Sequence, residues 1–267
     1  MLLKIENLDV SYRSDDGTVT AAARDVSLEL ERGEILGVVG ESGSGKSSVA
    51  MSVARLLPSP PAFYPAGRIL LDGEDVLSMP LPRLREIRGS KVGVVFQDPM
   101  GSLSPLHRIC DQLTETVHLH RKVSKAAARQ LALEWLEKVR GGSRMGTVEW
   151  ASAYPHELSG GMQQRVMIAM ALMLEPDLLI ADEPTTALDV TVQAQVLRLM
   201  ADLHRSNSAI LLITHDLGVV SQMATRLAVM KDGVVVEKSD SPLEFFAHPQ
   251  HPYSQALVGE ARKTELK

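Results

Sequence analysis

The stretch VVGESGSGKSSVA, residues 38–50, places a glycine-rich loop between an apolar run and the start of a helical pattern. Residues 40–47 read GESGSGKS and fit the pattern G-x-x-x-x-G-K-[S/T]. The strand-like run EILGVV precedes them and the helical pattern after them ends before Pro58, which is the context that this pattern requires. Glycines let backbone N–H groups turn inward around phosphate oxygens, and the helix N-terminus adds positive potential. The loop is therefore predicted to bind the phosphates of a nucleotide.

The polar side chains of this loop are expected to divide the binding between them. Lys46 is expected to contact the β- and γ-phosphates, and the Ser47 hydroxyl is expected to ligate Mg²⁺. The alternative is a chance glycine-rich turn, which arises in roughly one chain per hundred of this length. The loop residues predicted to bind the nucleotide are Gly40, Ser42, Gly43, Ser44, Gly45, Lys46, Ser47 and Ser48.

Composition narrows the class of protein. The 267 residues are 45% hydrophobic and 23% charged, which is typical of globular domains. The net charge of −5 and the scattered basic residues argue against a nucleic-acid partner. A single cysteine, Cys110, cannot form an internal disulfide and is best interpreted as a packing residue in a reducing compartment. The N-terminus is unlike a signal peptide, and the longest apolar run, residues 166–174, is too short to span a bilayer. We therefore expect a cytosolic protein that meets a membrane only through its partners.

The first half of the chain is predicted to form strands and then helices. LLKIENLDV, DVSLEL, RILLDGEDV and KVGVVF (residues 91–96) are predicted as strands of a sheet in the first third, with a turn at Asp72 and Gly73. From residue 100 to residue 175 the pattern is helical. Ser124 is the predicted N-cap of a helix whose apolar positions are Leu131, Trp135 and Val139.

The second half returns to alternating strands and helices. Two apolar runs, LLIAD at residues 178–182 and AILLI at residues 209–213, are predicted as buried parallel strands. A hairpin is predicted around residues 231–233, Lys-Asp-Gly. The chain is therefore predicted to be one α/β domain with a helical insert. A helix is expected between the two apolar runs, and its apolar positions are Val192, Val196, Leu199 and Leu203.

Polar residues at the ends of three predicted strands point to a reaction on the nucleotide. Asp182 ends the strand in LLIADEP, where a carboxylate can hold Mg²⁺ through water, and Glu183 beside it can act as general base on the attacking water. Gln97 follows the strand VGVVF and is expected to sense Mg²⁺ and that water. His215 ends LITHD and is expected to contact the γ-phosphate or to orient the water. Taken alone, these residues read as an acidic turn, a strand-end amide and a structural histidine, so the loop at residues 40–47 decides the interpretation.

A second glycine-rich segment, LSGGMQQR at residues 158–165, also enters a predicted helix. Ser159 is its predicted N-cap, so this helix end is a second candidate anion-binding site. One chain that binds one nucleoside triphosphate does not need both sites. The alternative is that Ser-Gly-Gly is only the start signal of a helix.

Together these motifs resemble the nucleotide-binding subunits of ATP-binding cassette (ABC) transporters over nearly the whole chain. The resemblance implies that GESGSGKS is Walker A, LSGGMQQR the signature and LLIADE Walker B. It makes Gln97 the Q-loop residue, His215 the switch histidine and residues 187–189 (Ala187 to Asp189) the D-loop. Tyr12 matches the aromatic residue that stacks on adenine, with simple packing as the alternative.

The resemblance also implies the architecture and the assembly. The expected fold is α/β, a P-loop (RecA-like) core with an antiparallel β subdomain and an inserted α-helical subdomain. The expected nucleotide-binding domain covers residues 1–255, with the helical subdomain at about 100–165 and a short tail at 256–267. Two such domains would associate head to tail around ATP and Mg²⁺, and closure would be coupled to membrane subunits. The signature residues expected to close on the opposite nucleotide are Ser159, Gly160, Gly161 and Gln163.

Further segments, including FQDPMGSLSPL and HPYSQAL, are similar to the D-type ATPases of dipeptide, oligopeptide and nickel importers. This likeness implies two transmembrane permeases, a second ATPase (F-type, or a homodimer partner), an extracytoplasmic binding protein and a place at the cytoplasmic face of a bacterial inner membrane. The longer ATPases of peptide importers continue well beyond the HPYSQAL equivalent, whereas this sequence stops at Lys267. This difference favours the shorter nickel or metallophore members. No function is assigned to the loop at residues 140–153.

Several alternatives remain at this point. A cassette protein of DNA repair or translation would carry long heptad segments, zinc cysteines or a second cassette, and a regulatory module would bind ATP without turnover. Glu183 and His215 argue against the latter. A methionine stripe in the signature helix is predicted to fill the core. The histidines that might suggest a nickel site, interpreted instead as ordinary structural or surface residues, are His107, His118, His120, His248 and His251.

Overall fold

The computed structural model describes residues 1–141, 145–186, 188–204 and 207–265. It divides the chain into two compact units. The first unit comprises residues 1–85 and 205–267, and the second comprises residues 86–204. The predicted boundaries of the helical subdomain and of the C-terminal tail stay predictions.

The strands and helices alternate along much of the chain. The strands are β1 (Leu3–Arg13), β2 (Val19–Leu30), β3 (Ile35–Val39), β4 (Ala62–Phe63), β5 (Arg68–Leu71), β6 (Glu74–Asp75), β7 (Val92–Val95), β8 (Leu178–Asp182), β9 (Ala209–Thr214), β10 (Arg226–Lys231) and β11 (Val234–Ser239). The helices are α1 (Lys46–Val53), α2 (Leu81–Ile87), α3 (Pro99–Ser102), α4 (Ile109–His120), α5 (Lys125–Arg140), α6 (Thr147–Ser152), α7 (Gly160–Leu172), α8 (Val190–Leu203), α9 (Leu217–Met223), α10 (Pro242–Ala247) and α11 (Pro252–Glu265).

The first unit contains an antiparallel sheet in the order β2-β1-β5-β6, with β4 also paired to β1. Its long strands alternate between buried and more exposed residues, as expected for strands with one covered face. The turn between β5 and β6 lies at Asp72 and Gly73, both with positive φ, which confirms the predicted turn. This sheet is the expected antiparallel β subdomain.

The first unit also contains parallel strands in the order β10-β3-β9, and β11 closes them as an antiparallel edge strand. Every residue of β3 and β9 is buried, because strands covered on both faces have no polar side. The predicted strand at residues 209–213 and the hairpin turn at 231–233 are both confirmed. In the pairing of β3 with β9, Val39 lies opposite Thr214, so the two strands end at the same edge.

In the second unit β7 pairs in parallel with β8, and Val95 lies opposite Ala181. The prediction that KVGVVF joins the sheet of the first third is therefore wrong. The physical reason is its continuous apolar run, which suits a buried parallel strand, whereas β1 and β2 alternate. Neighbouring parallel strands end at the same edge of a sheet. Asp182 at the end of β8 and Gln97 shortly after β7 therefore lie at the same edge.

Helices α4 to α7 build the hydrophobic core of the second unit. The Ser124 hydroxyl accepts a hydrogen bond from the Ala127 N–H at 3.2 Å, which confirms the predicted N-cap of α5. Leu131 is only partly buried, and the α5 core positions also include Ala128, Ala132 and Leu136. Cys110 lies in this core, and burial raises the pKa of its thiol. The methionine stripe fills space as predicted: Met167 and Met173 are buried, and Met162 and Met170 pack against the cluster.

Helix α8 buries a slightly different face from the predicted one. Val196 is buried as expected, but Leu197 and Met200 are its other buried residues. Leu199 and Leu203 are partly buried against the core cluster. Among the helices of the described residues, none combines the length and the apolar character needed to cross a membrane.

Candidate active site

The glycine-rich loop follows β3 and enters α1, as predicted. Gly40 has φ +154°, and a Cβ there would lie 2.1 Å from the Met230 carbonyl oxygen. Gly45 has φ +93°, and its Cβ would lie 2.1 Å from the Ala22 carbonyl oxygen. Both positions need glycine because the loop approaches the backbones of β10 and β2 too closely for a side chain. The loop is thus a tightly constrained turn of backbone at the start of a helix.

Lys46, the first residue of α1, has only 4% of its surface exposed. Its Nζ donates hydrogen bonds to the carbonyl oxygens of Gly40 and Glu41, each at 2.7 Å, and to the Ser44 hydroxyl at 3.2 Å. These oxygen acceptors hold the ammonium group inside the curve of the loop. The structure therefore places one fixed positive charge where the motif requires it to meet phosphate oxygens.

The other predicted ligands of the first unit lie around the same helix end. Ser42, Gly43 and Ser47 are exposed. The Tyr12 hydroxyl lies 3.0 Å from the Ser48 hydroxyl, so the ring of Tyr12 is held beside the first turn of α1. The stacking of Tyr12 on adenine stays a prediction.

His215 directly follows β9 and is exposed. Because Thr214 pairs with Val39, His215 lies at the strand edge from which the glycine-rich loop departs. The next residue, Asp216, caps α9 by accepting hydrogen bonds from the N–H of Gly218 at 2.8 Å and of the following residue at 3.4 Å. This cap fixes the backbone on which the histidine is carried.

In the second unit the structure brings Gln97 and Glu183 together, 86 positions apart in sequence. The Gln97 Nε2 donates a hydrogen bond to Glu183 Oε2 at 3.1 Å. The Thr186 hydroxyl donates to the same oxygen at 2.8 Å. Thr186 was not predicted as a site residue, although it lies three positions after Glu183. The two donors hold the carboxylate in one orientation.

Asp182 and Glu183 occupy different environments at the end of β8. Asp182 is 6% exposed, whereas Glu183 is only partly buried. Glu183 also has φ +46°, a left-handed conformation that is uncommon for a residue with a side chain. Such strained residues cluster at functional sites, where the surrounding structure determines the side-chain direction.

The signature segment enters α7 with Ser159 at the N-cap position. Ser159 has the extended backbone of an N-cap, which confirms its predicted position, although its side chain makes no capping hydrogen bond. Ser159 and Gly160 are exposed. A Cβ on Gly161 would lie 2.6 Å from Val192 Cγ1, so glycine lets α7 pack closely on α8. The exposed serine and glycine are accessible to a ligand from outside this unit.

Gln163 corrects the predicted set of nucleotide ligands. Its side chain is 3% exposed, and Nε2 donates to the carbonyl oxygens of Pro155 at 2.8 Å and Leu158 at 3.1 Å. The side chain therefore lies inside the second unit and holds the segment that leads into α7. Its role in this structure is to support the signature loop, and the predicted contact of this side chain with nucleotide is withdrawn.

The D-loop and the loop at residues 140–153 lie partly outside the described residues, which omit Ala187 and residues 142–144. Asp189 caps α8 by accepting a hydrogen bond from the Val192 N–H at 2.9 Å. Within the other loop, α6 forms and buries Trp150 completely. Part of a segment without an assigned function is thus a structural element of the core.

No group of three or more metal-ligating side chains is found in the part of the chain that the structure describes. His107 bonds to Ser104 at 2.8 Å, and His251 accepts a hydrogen bond from the Tyr253 N–H at 3.2 Å. These contacts are ordinary local structure.

Residues 23–186 match the family described as ABC transporter, which is more than half of the chain. This chain belongs to the ABC transporter family. It is 47% identical over 259 residues to the probable peptide ABC transporter ATP-binding protein y4tR of Sinorhizobium fredii, covering 97% of this chain and 76% of that one. It is 46% identical over 258 residues to the oligopeptide transport ATP-binding protein OppD of Bacillus subtilis, covering 96% and 71%.

A solved ABC structure gives the same fold. The dimeric structure of an ATP-binding cassette in a post-hydrolysis state, bound to ADP and Pi, has a TM-score of 0.77 and 29% identity to this chain. The match covers 89% of this chain and 98% of that one. The expected fold, a P-loop core with an antiparallel sheet and an α-helical part, is confirmed.

Three residues of this ABC protein make contacts at the site that the motifs did not assign. Besides Thr186, Arg165 at the end of the signature donates to the Val139 carbonyl oxygen at 2.9 Å and to the Gln195 side chain at 2.8 Å. Tyr253 accepts a hydrogen bond from the N–H of Glu41 in the glycine-rich loop. Arg165 and Tyr253 stand in conspicuous motifs, LSGGMQQR and HPYSQAL, but their partners are 26 to 212 positions away in sequence.

Proposed function

We propose that this chain is the ATPase subunit that energises the uptake of di- or oligopeptides by a membrane ABC importer. Its family membership makes it an ATP-binding protein whose hydrolysis of ATP is coupled to transport. The hydrogen bond between Gln97 and Glu183 is the observation that carries the hydrolytic part of the proposal. The peptide class follows from the relatives, whose names specify peptide and oligopeptide transport.

ATP is expected to bind first through the loop of the first unit. The buried ammonium of Lys46 supplies the charge, and the N-terminal turn of α1, where Ser47 is exposed, supplies backbone N–H groups. Three acceptors of the Lys46 ammonium, the Gly40 and Glu41 carbonyl oxygens and the Ser44 hydroxyl, belong to its own loop. An ammonium group has three donors, so contact with the β- and γ-phosphates requires Lys46 to exchange some of these bonds. Tyr12 is expected to stack on the adenine ring.

Glu183 is expected to act as the general base. Its Oε2 accepts hydrogen bonds from Gln97 and Thr186, which orient the carboxylate. A carboxylate in that position can take a proton from water as the water attacks the γ-phosphate, and the P–O bond to the leaving ADP then breaks. His215 is expected to contact the γ-phosphate. The oriented pair favours hydrolysis over a module that binds ATP without turnover.

The residues proposed for Mg²⁺ fit that ion chemically. Ser47 offers a hydroxyl, Asp182 a carboxylate and Gln97 an amide oxygen, all of them the hard oxygen donors that Mg²⁺ prefers. Asp182 ends a strand and is mostly buried, which suits a carboxylate that acts on a cation rather than on bulk solvent. When bound, Mg²⁺ would neutralise charge on the β- and γ-phosphates.

The family position as an ATP-binding subunit implies membrane permeases and dimerisation. We propose two permeases, an F-type or identical second ATPase, an extracytoplasmic binding protein and a location at the cytoplasmic face of the membrane. We further propose that Ser159, Gly160 and Gly161 of one ATPase close on ATP bound by the other. Their support is that Ser159 and Gly160 are exposed and that the similar solved cassette is a dimer.

Ser159→Arg should leave ATP binding intact and lower hydrolysis about ten- to a hundredfold. The added side chain would place bulk and a misplaced charge where the opposite nucleotide must dock, and each tenfold loss is about 1.4 kcal/mol of lost stabilisation. ATP binding and phosphate release measure the two effects. Ser152→Arg, an exposed serine at the end of α6, is the matched control and should behave as wild type.

A forced homodimer tests whether the site is shared. One subunit carries Ser159→Arg and the other Lys46→Ala, so that one composite site retains both intact halves. About half of wild-type hydrolysis is expected. Absence of any recovery in a dimer proven to contain one copy of each variant would contradict sites built from two chains.

The correct cargo should stimulate hydrolysis only in the assembled transporter. Cargo can bias closure only through contacts that differ between the open and closed states, and those contacts are proposed to lie in the partners. Transporter with binding protein in lipid nanodiscs should release phosphate faster with short peptides than with Ni²⁺. The isolated subunit should respond to neither once competition with Mg²⁺ is controlled. Stimulation by Ni²⁺ alone would replace the peptide assignment by the nickel or metallophore alternative.

A further inference from the structure

We propose that Tyr253 is a positioning residue for the nucleotide-binding loop, and that through it helix α11 sets the geometry of that loop. The N–H of Glu41 donates a hydrogen bond to the Tyr253 hydroxyl at 2.9 Å. Glu41 is the second residue of GESGSGKS, whereas Tyr253 is the tyrosine of HPYSQAL, 212 positions further along the chain. The inference rests on the proposed binding of ATP by this loop.

The tyrosine ring is fixed in the core of the first unit. Tyr253 is 8% exposed and belongs to a buried cluster with Val39, the residue that precedes the loop, and with Phe245 of α10. The Lys231 ammonium lies 4.9 Å from the centre of the ring, close enough for a cation–π contact. Because the ring has this packing on several sides, its hydroxyl is presented to Glu41 from a rigid support.

The start of α11 is fastened as firmly as the ring. Glu237 of β11 accepts hydrogen bonds from the N–H groups of Gln250 at 2.9 Å and His251 at 2.8 Å. Burial works to raise the pKa of Glu237, but the backbone hydrogen bonds from Gln250 and His251 help to lower the pKa overall. The carboxylate therefore stays charged and holds the HPYSQAL segment against the β10–β11 hairpin.

Within the loop, Glu41 connects this support to Lys46. The Glu41 N–H is held by Tyr253, and the Glu41 carbonyl oxygen accepts a hydrogen bond from Lys46 at 2.7 Å. The hairpin supports the other side, because the Gly233 N–H donates to the Ser44 carbonyl oxygen at 3.2 Å. The Glu41 N–H thus anchors the loop to the protein, and the direction of its carbonyl helps to set the position of Lys46.

This arrangement predicts an effect on ATP binding rather than on the chemical step. A loop that is already ordered loses less conformational freedom when phosphate binds, so its affinity is higher. Glu183, which is expected to act on water, is not a partner in any of these contacts. Loss of the Tyr253 hydroxyl should therefore weaken ATP binding and leave kcat nearly unchanged.

The test uses Tyr253→Phe in the full chain, because this change removes the hydroxyl but keeps the ring and its packing. The KM and Kd for ATP should rise about three- to tenfold, as expected for the loss of one buried hydrogen bond, while kcat changes less than about twofold. Hydrogen exchange of the Glu41 amide should accelerate. Tyr154→Phe, at an aromatic contact in the second unit, is the matched control and should alter none of these quantities.

Each other outcome would overturn the inference. Unchanged Glu41 exchange would mean that the hydroxyl does not hold the loop, and faster exchange with unchanged ATP affinity would mean that the bond does not matter for binding. A Tyr253→Phe protein with a much lower melting temperature and a proportional loss of kcat would show a purely structural role. Phosphate release by the wild-type protein is measured separately. Its absence would refute the proposed ATPase activity, whereas amide exchange and nucleotide binding would still test whether Tyr253 positions the loop.

Discussion

Glu183→Gln should keep ATP binding and slow hydrolysis by roughly two to four orders of magnitude. Glutamine has the same shape, and its carbonyl oxygen can still accept the hydrogen bonds that Glu183 receives from Gln97 and Thr186. Its amide cannot take a proton from water, so only the chemical step is lost. ATP should therefore accumulate in a closed dimer. Equilibrium ATP binding, phosphate release and size-exclusion chromatography with ATP measure the three effects.

The matched control for this variant is Glu115→Gln on the exposed face of α4. It makes the same chemical change away from the site and should hydrolyse ATP at the wild-type rate. Hydrolysis at the wild-type rate by Glu183→Gln would assign the general base to another residue. A loss of ATP binding in Glu183→Gln would instead mean that the carboxylate holds the ligand or the fold.

The elements that were predicted correctly are specified by residues within their own segments of the sequence. The Ser124 cap, the Asp72-Gly73 turn and the apolar runs that became β8 and β9 all lie within the segments that they specify. The pairing of KVGVVF was not local, because Val92 finds its partner Leu178 more than 80 positions away. An apolar run shows that a strand is buried on both faces, but it does not identify the neighbouring strand.

The site shows the same division between local and distant determinants. A motif indicates that Gly40 needs to be glycine, but the backbone that excludes a side chain there belongs to Met230. Gln163 was misassigned because it stands in a ligand-binding motif. Helical spacing contains the correction, since Gln163, Val166 and Met167 recur at three and four positions and all three are buried.

Tyr253 and Thr186 illustrate two further limits of motif reading. Thr186 lies only three positions after Glu183, so a search for donors near the general base would have found it. Tyr253 contacts a backbone N–H, and a backbone partner leaves no mark on the residue type at that position. Only the fold shows that the motif near the C-terminus and the glycine-rich loop touch.

Lys46→Ala should weaken ATP binding at least about tenfold and reduce hydrolysis below about one thousandth of the wild-type rate. A hydrogen bond to a charged group is worth about 1.5–3 kcal/mol, so the loss of even one phosphate contact accounts for the weaker binding. The loss of turnover is greater because charge develops on the phosphate oxygens as the reaction proceeds. Calorimetric ATP binding and steady-state phosphate release check the two values.

Lys46→Ala can act in two ways, by removing a phosphate contact and by disturbing the loop, and the experiment must distinguish them. Lys46 also donates to Gly40, Glu41 and Ser44, so its removal leaves two carbonyl groups of the loop without this donor. Lys46→Met keeps most of the side-chain volume and lacks the charge, and it should lose activity as Lys46→Ala does. Lys125→Ala, at the exposed start of α5, is the matched control. If both Lys46 variants fold as judged by circular dichroism and still bind and hydrolyse ATP normally, then the loop at residues 40–47 is not the nucleotide site of this protein.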